Sequence, residues 1–189
     1  MEDHFLFADS TLFDIFSIKF LRGDPATALT RPNTLILTEE KANLYFGDRD
    51  PLGLPLRVNR DSNFYYVTGV IESFPENSHF FADFIASMET LDWESNLTWF
   101  QNSIFSYVLL RPDANPEKVQ EKMATVMSEH IRGELKSILG VEPEEWAAGG
   151  NQYGIYLQPL LDIHLQPDIE VGMDSCFRPV HGRMYVHIF

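Results

Sequence analysis

The most constraining feature of this chain is the run at residues 64–71, in which aromatic and β-branched side chains occupy both alternating faces. A strand that is apolar on both faces is stable only where neighbours cover each face, as in the interior of a sheet. We therefore expect residues 64–71 to form a central, buried strand. A chain of 189 residues buries roughly 70% of its unfolded surface, so it needs no disulfide or metal staple.

Other short elements surround this strand. Strands are predicted at residues 5–8, 17–21, 34–37, 56–59 and 80–88, a short helix at 11–16 that Asp9 or Ser10 caps, and a helical turn at 26–29. A further helix is predicted from Thr38, a typical N-cap residue, to Phe46, with Gly47 at its C-terminal end. Its expected apolar side comprises Ala42, Leu44, Tyr45 and Phe46.

The second half of the chain predicts a β-α-β order. A strand at residues 104–110 precedes a helix that begins at Pro116, whose missing N–H has no partner at the first helical position. Apolar residues repeat at near-helical spacing up to Leu139, and Gly140 ends the helix. A strand follows at residues 155–157. These elements predict an α+β fold with mixed or antiparallel sheets and short helices.

Composition excludes several classes of partner. The chain has 28 acidic and 14 basic residues, a formal net charge of -14, which argues against nucleic acid and anionic lipid surfaces. Its one cysteine, Cys176, forms neither an internal disulfide nor a thiolate zinc site. No apolar stretch reaches the ~20 residues of a membrane helix, and the acidic start is unlike an export signal. The apolar run at residues 184–189 is either a closing strand or precedes a hydrophobic segment.

Reactive residues are scattered rather than clustered. The six histidines do not match a metal-ligand spacing such as HExxH: they are His4, His79, His130, His164, His181 and His187. Asp162 and His164 are two residues apart and would share one face of an extended segment, where they could form an acid/base pair. A solvated strand edge accounts for them better.

The remaining combinations are weaker still. Cys176 and His181 are close only in sequence, and the adjacent Glu144 and Glu145 point apart. There is no GxSxG elbow and no Walker glycine loop. We predict no catalytic, cofactor-binding or metal-binding residues, and leave the partner-binding residues unassigned.

Two short motifs have simple structural explanations. Arg22-Gly23-Asp24 matches an adhesion tripeptide, but a strand end followed by a turn explains it, and adhesion would require it at an exposed loop tip. Asn96-Leu97-Thr98 fits the glycosylation sequon, which occurs often by chance.

A longer series of motifs indicates a family. It runs through Phe13-Asp14-Ile15-Phe16, Phe20-Leu21-Arg22-Gly23-Asp24-Pro25, Pro32-Asn33-Thr34, Tyr45-Phe46-Gly47, Asp50-Pro51-Leu52-Gly53, Val67-Thr68-Gly69-Val70-Ile71 and Phe74-Pro75-Glu76-Asn77, with later segments at 156–165 and 185–189. In this order and over nearly the whole chain, it resembles the MacB-like periplasmic core domain of FtsX-like ABC-transporter permeases, of the Bacteroidetes type.

The resemblance implies an organisation into two parts. Residues 1–100 correspond to a Sabre-like subdomain, and residues 101–189 to a porter-like β-α-β segment whose C-terminal strands lead towards a membrane helix. Family members carry a further N-terminal β-α-β piece before the region that matches Phe5. We therefore expect the strands at 104–110 and 155–157 to have free edges that invite pairing with another chain.

The resemblance also implies a function without catalysis or cofactors. The chain would be an extracytoplasmic domain of a permease subunit, at the periplasmic face of the bacterial inner membrane, with an integral membrane protein as its parent. It would bind a partner or substrate and transmit conformational change from a separate cytoplasmic ATPase. Expected partners are a second permease copy, that ATPase through the membrane part, and a periplasmic adaptor or lipoprotein. The alternatives are a secreted small-ligand-binding protein or hydrolase, and a surface adhesion module.

Overall fold

The computed structural model describes residues 4–58, 64–75, 78, 81–91, 104–134, 136–137, 140, 142, 145, 154–160 and 183–188, with the backbone alone at 154–156 and 183–188. The chain divides into two compact units, Met1–Trp93 (unit 1) and Glu94–Phe189 (unit 2). They are described separately.

Unit 1 is built on a six-stranded mixed sheet. Its strands are β1 Phe5–Ala8, β2 Phe20–Gly23, β3 Thr34–Thr38, β4 Pro55–Arg57, β5 Phe64–Ile71 and β6 Phe84–Ser87, and its helices are α1 Leu12–Ile15, α2 Glu39–Phe46 and a 3₁₀ turn at Met88–Thr90. The strand order is β1-β6-β3-β5-β2, and β4 also pairs with β5. The β1–β6 and β3–β5 pairs are parallel, whereas the other pairs are antiparallel.

Strand β5 is the central strand that its composition predicts. It pairs with β3 along one edge, while β4 pairs with its beginning and β2 with its end along the other edge. The expectation that both faces are buried is wrong at its beginning, where Phe64 and Tyr66 are 51% and 52% exposed. Both side chains lie on the sheet face opposite α2. The residues that cover this face pack nearer the end of β5, at Ile71.

Each face of the unit 1 sheet carries its own apolar core. On one face α2 packs over a cluster of buried residues: Leu35, Leu37, Ala42, Phe46, Tyr65, Val67, Val70, Phe84 and Ala86. On the other face, α1 and the turns after β2 cover a second cluster: Ala8, Ala28, Leu29, Ile36, Ile71, Ala82 and Ile85. Burial on both sides explains why β3 is buried at every position.

Helix α2 begins and ends where the sequence predicts. The Thr38 side chain accepts a hydrogen bond from the Lys41 backbone N–H, and Gly47 ends the helix with a φ of 59°. Its buried side differs from the expectation. Leu44 is 69% exposed and Tyr45 is also exposed, whereas Lys41 is only 2% exposed.

Several other predicted boundaries move. The strand predicted at 17–21 is β2, which starts only at Phe20, and the helix predicted at 11–16 is the shorter α1, preceded by an Asp9 side chain that accepts from the Thr11 N–H. The strand predicted at 56–59 is β4, Pro55–Arg57, and the one predicted at 80–88 is β6, Phe84–Ser87.

Residues 26–29 lie in successive turns, consistent with the predicted helical turn: the Thr27 N–H donates to the Asp24 carbonyl and the Thr30 N–H to the Thr27 carbonyl, both with i to i−3 spacing.

Unit 2 contains the predicted β-α-β order. Its elements are β7 Ser106–Val108, α3 Pro116–Glu134, β8 Gly154–Pro159 and β9 Arg183–Ile188. The strands form an all-parallel sheet in the order β7-β9-β8. Strand β7 is shorter than the predicted range 104–110, and β8 is longer than the predicted range 155–157. Helix α3 starts at Pro116 as expected but ends at Glu134, and part of the predicted extension to Leu139 lies outside the described residues.

Strand β9 includes most of the apolar run near the end of the sequence, which confirms its prediction as a strand. It lies between β7 and β8, so each of these two strands pairs with β9 on one side. Over the residues that the structure describes, neither has a second strand partner, and the expected free edges stay a prediction.

Candidate functional site

Unit 1 has a cleft between α2, β2 and the loop after α2, which we call the Arg22–Arg49 cleft. It is a depression open to solvent, and the empty space of about 330 Å³ measured there includes open solvent. Its lining residues are Leu21, Arg22, Glu39, Ala42, Asn43, Gly47, Arg49, Pro51 and Val70. The cleft lies where α2 ends at Gly47 and the following loop returns to β5, where the Gly53 N–H donates to the Val67 carbonyl.

Two arginines approach the cleft from different elements. The Arg22 Nη1 atom lies 3.2 Å from Asp50 Oδ1, and that carboxylate also accepts from the Leu52 N–H. The Arg49 Nε atom donates to the Phe46 carbonyl at 3.4 Å, at the end of α2. Each guanidinium group is thus held by one contact, which leaves other N–H donors of both side chains directed to solvent or to a ligand.

The rest of the lining is apolar at its floor and polar on one wall. Val70 and Ala42 are buried, as is Pro51, and they belong to the sheet, to α2 and to the loop. Asn43 and Glu39 are exposed residues of α2 on the opposite wall. The cleft therefore combines an apolar base with an amide, a carboxylate and two guanidinium groups.

A second polar group joins three elements around Asp83, just before β6. Asp83 Oδ1 lies 3.6 Å from the buried Lys41 Nζ, and Asp83 Oδ2 accepts from the His4 backbone N–H at 2.9 Å. The His4 imidazole Nδ1 lies 3.4 Å from the same oxygen, and its ring contacts Phe81 edge-on. Because charges are buried only when paired, Asp83 explains how Lys41 is accommodated under the sheet edge.

The tripeptide Arg22-Gly23-Asp24 is part of the fold in unit 1. Arg22 and Gly23 lie in β2, and the Asp24 carboxylate accepts from the Ala26 N–H in the following turn. Gly23 has a φ of +88°. The tripeptide is therefore not at a loop tip, which was the condition for an adhesion function.

The structure brings few of the other singled-out residues together. His130 is exposed on α3, and His187 lies in β9. Of the adjacent pair Glu144 and Glu145, the structure describes only Glu145. The residues that lie outside the described part are His79, Asp162, His164, Cys176, His181, Glu144 and 96–98. Within the described part no three His, Cys, Asp or Glu side chains form a metal-binding group, and the absence of catalytic or cofactor residues stays a prediction.

Lys136 has a perturbed pKa. The hydrogen bond from Lys136 Nζ to Glu142 Oε1, 2.8 Å long, and the charge of that carboxylate raise the pKa of Lys136. Both groups are exposed, so this is an ordinary surface ion pair of small energetic value.

Comparison with known proteins decides the family. The sequence model described as MacB-like periplasmic core domain matches residues 4–126. The chain belongs to this family. As a MacB-like periplasmic core domain, it is a periplasmic domain of the kind found in ABC-transporter permeases, as the motif series implied. Among the described residues, no helix is both long enough and apolar enough to span a membrane.

The chain is also similar to solved structures. The crystal structure of a domain assigned to a permease protein from Porphyromonas gingivalis matches with 25% identity and a TM-score of 0.55, covering 69% of this chain and 60% of that one. The periplasmic region of MacB from Actinobacillus actinomycetemcomitans matches at 16% identity and a TM-score of 0.38, covering 71% of this chain and 56% of that one. This chain thus spans less than two thirds of either. No curated protein sequence matches it significantly.

Proposed function

We propose that this MacB-like periplasmic core domain binds a partner or transported substrate and changes position as a separate ATPase subunit turns over. The observation that carries the proposal is the family match over residues 4–126. The similarity to the Porphyromonas gingivalis permease domain supports it.

The physical requirement for this function is a difference in binding between two states. A domain without a reaction of its own transmits nucleotide-driven change only if its contacts are more favourable in one arrangement of the transporter than in another. The expected partners are a second permease copy, the cytoplasmic ATPase through the membrane part of the parent protein, and a periplasmic adaptor or lipoprotein. The parent protein is proposed to be integral to the inner membrane.

Distance measurements in the full-length parent, assembled with its ATPase subunit, test this proposal. Spin labels are placed singly at the exposed helical sites Glu40→Cys in α2 and Lys122→Cys in α3, with native cysteines replaced. With two permease copies, each label pair reports a copy-to-copy distance. We expect the distance distribution to shift between the nucleotide-free and the vanadate-trapped states for at least one label.

The control uses an ATPase subunit whose catalytic glutamate is replaced, so that ATP hydrolysis is blocked. After nucleotide is removed, this control should show no shift in the distance distribution. If both labels gave identical distance distributions in all nucleotide states, the proposed transmission of conformational change would be contradicted. If no dipolar coupling between labels were detected, the proposed second permease copy would be contradicted. Calorimetry of the isolated chain should detect no binding of ATP, because the proposal places nucleotide on another subunit.

A further inference from the structure

We propose that the Arg22–Arg49 cleft binds a carboxylate-bearing peptide segment of a partner protein, with Arg49 as the principal contact. This inference rests on the proposed function in one respect only, namely that the domain has a protein partner. It adds the place of contact and the chemistry of the partner.

Charge pairing distinguishes the two arginines of the cleft. Side chains with a carboxylate oxygen within 4 Å include Lys19, Arg22, Lys41, Arg111 and Lys136. Arg49 instead contacts a backbone carbonyl. Its positive charge is therefore available to an external anion at a concave surface.

The two guanidinium groups are positioned before any ligand arrives. Arg22 is fixed by Asp50, and Arg49 is fixed by the carbonyl of Phe46. Contacts of this kind reduce the side-chain entropy that binding would otherwise remove. Gly47 has no side chain, and even a Cβ built there would meet no atom within 4 Å, so the approach to the cleft is open.

The lining favours a carboxylate over a phosphate. Glu39 contributes a negative charge to the wall, and the C-terminal end of α2, near Gly47, carries the negative end of the helix dipole. The negative charge of Glu39 and the helix dipole both disfavour a phosphate dianion more than a carboxylate monoanion. The buried floor of Val70 and Ala42 suits the aliphatic part of a side chain, and the exposed Asn43 amide suits a peptide backbone.

Titration of the ¹⁵N-labelled chain with the peptide acetyl-Leu-Glu-Leu-amide tests the proposal, with acetyl-Leu-Gln-Leu-amide as its uncharged match. We expect saturable amide shifts that centre on Asn43, Gly47 and Val70, weaken with added salt and are absent with the glutamine peptide. Arg49→Gln should weaken binding about tenfold, because it removes a charge-assisted contact. Arg49→Lys should weaken it less.

The matched control variant is Arg31→Gln, an exposed arginine of unit 1 outside the cleft, which should bind as the native chain does. Equal binding of both peptides, or equal loss in Arg31→Gln and Arg49→Gln, would overturn the proposal. Tighter binding of inorganic phosphate at the same amides would overturn it in favour of a phosphate ligand. None of these results bears on the nucleotide-dependent distances, so failure here is distinguishable from failure of the proposed function.

Discussion

At the residue scale, Gly23 shows how closely two strands approach in unit 1. A Cβ at Gly23 would lie only 2.3 Å from the Thr68 carbonyl oxygen and 2.9 Å from the Gly69 Cα atom. Both atoms belong to the backbone of β5, so neither yields as the end of a flexible side chain does. Gly53 also has a positive φ, +75°, but its Cβ would point into open space.

These two glycines make a matched pair of substitutions. Gly53→Ala should lower the free energy of unfolding by about 1–2 kcal/mol, the cost of a positive φ in a residue with a side chain. Gly23→Ala adds a backbone clash, and should cost about 1–3 kcal/mol more. Urea unfolding of the two variants measures the difference. Equal losses of stability would show that β2 and β5 separate easily at this position.

The second feature at the residue scale is the pair Lys41–Asp83, in which the Lys41 side chain of α2 is buried. Lys19 and Glu72 form a contrasting pair at 3.2 Å whose side chains are 66% and 56% exposed. Desolvation makes the removal of one partner from a buried pair expensive, whereas exposed pairs contribute little.

Double-mutant cycles distinguish the two pairs. Lys41→Met with Asp83→Asn should give a coupling of about 1–3 kcal/mol, whereas Lys19→Met with Glu72→Gln should give less than about 1 kcal/mol. Chemical unfolding of the four single and two double variants supplies the values. A coupling for Lys41 and Asp83 no greater than that of the surface pair would refute the structural importance of the buried charge.

At the element scale, local signals predict the fold well where they are self-contained. Thr38 and Gly47 define both ends of α2, and the apolar run in β5 identifies the central strand. The exposed start of β5 was missed, because exposure depends on which segments cover that face. Burial of Lys41 was missed for a similar reason: its partner Asp83 is distant in sequence and approaches only once β6 is in place.

The Arg22–Arg49 cleft was also beyond sequence reasoning. It combines side chains from α2, β2, β5 and a loop, and no spacing along the chain brings them together. The one available signal was the helix-ending Gly47, which indicated a sharp change of direction there but not the residues opposite it. Likewise, the motif series identified the family but assigned no residue to a partner.

The edge of β8 has a side chain where another strand would otherwise supply an acceptor. The Leu157 backbone N–H donates to the Gln120 Oε1 atom of α3 at 2.6 Å. An unpaired strand edge invites association with other chains, and this hydrogen bond satisfies one of its donors.

Substitution of Gln120 tests this protection. Gln120→Leu should accelerate hydrogen exchange at the Leu157 amide about fivefold or more, as loss of a hydrogen bond worth about 1 kcal/mol implies. Gln120→Glu keeps an acceptor oxygen and should preserve slow exchange. Rapid exchange at Leu157 already in the native chain would contradict the prediction.

At the scale of the whole molecule, the chain consists of two units that each have their own secondary structure and buried residues. In unit 1 the core lies on both faces of the sheet, whereas in unit 2 the buried residues include Met127 and Ile131 of α3. Units with separate cores are expected to unfold in separate steps. The predicted boundary after residue 100 stays a prediction.

Calorimetry of two variants tests this independence. Gly133 lies within α3, is exposed, and a Cβ there would meet no atom. Gly133→Ala should therefore stabilise unit 2 by about 0.5–1 kcal/mol and raise one thermal transition only. Gly23→Ala should lower the other transition. A single transition that moves with both substitutions would show that the units unfold together.

In both units the strand that is translated last lies inside its sheet. Strand β6 inserts between β1 and β3, and β9 between β7 and β8. Until the last strand of each unit is available, the earlier strands therefore keep unpaired edges on either side of its place. Unit 1 can complete its sheet once Ser87 has crossed the membrane, whereas unit 2 also requires Ile188, so its unpaired edges persist until the last of its strands has been exported.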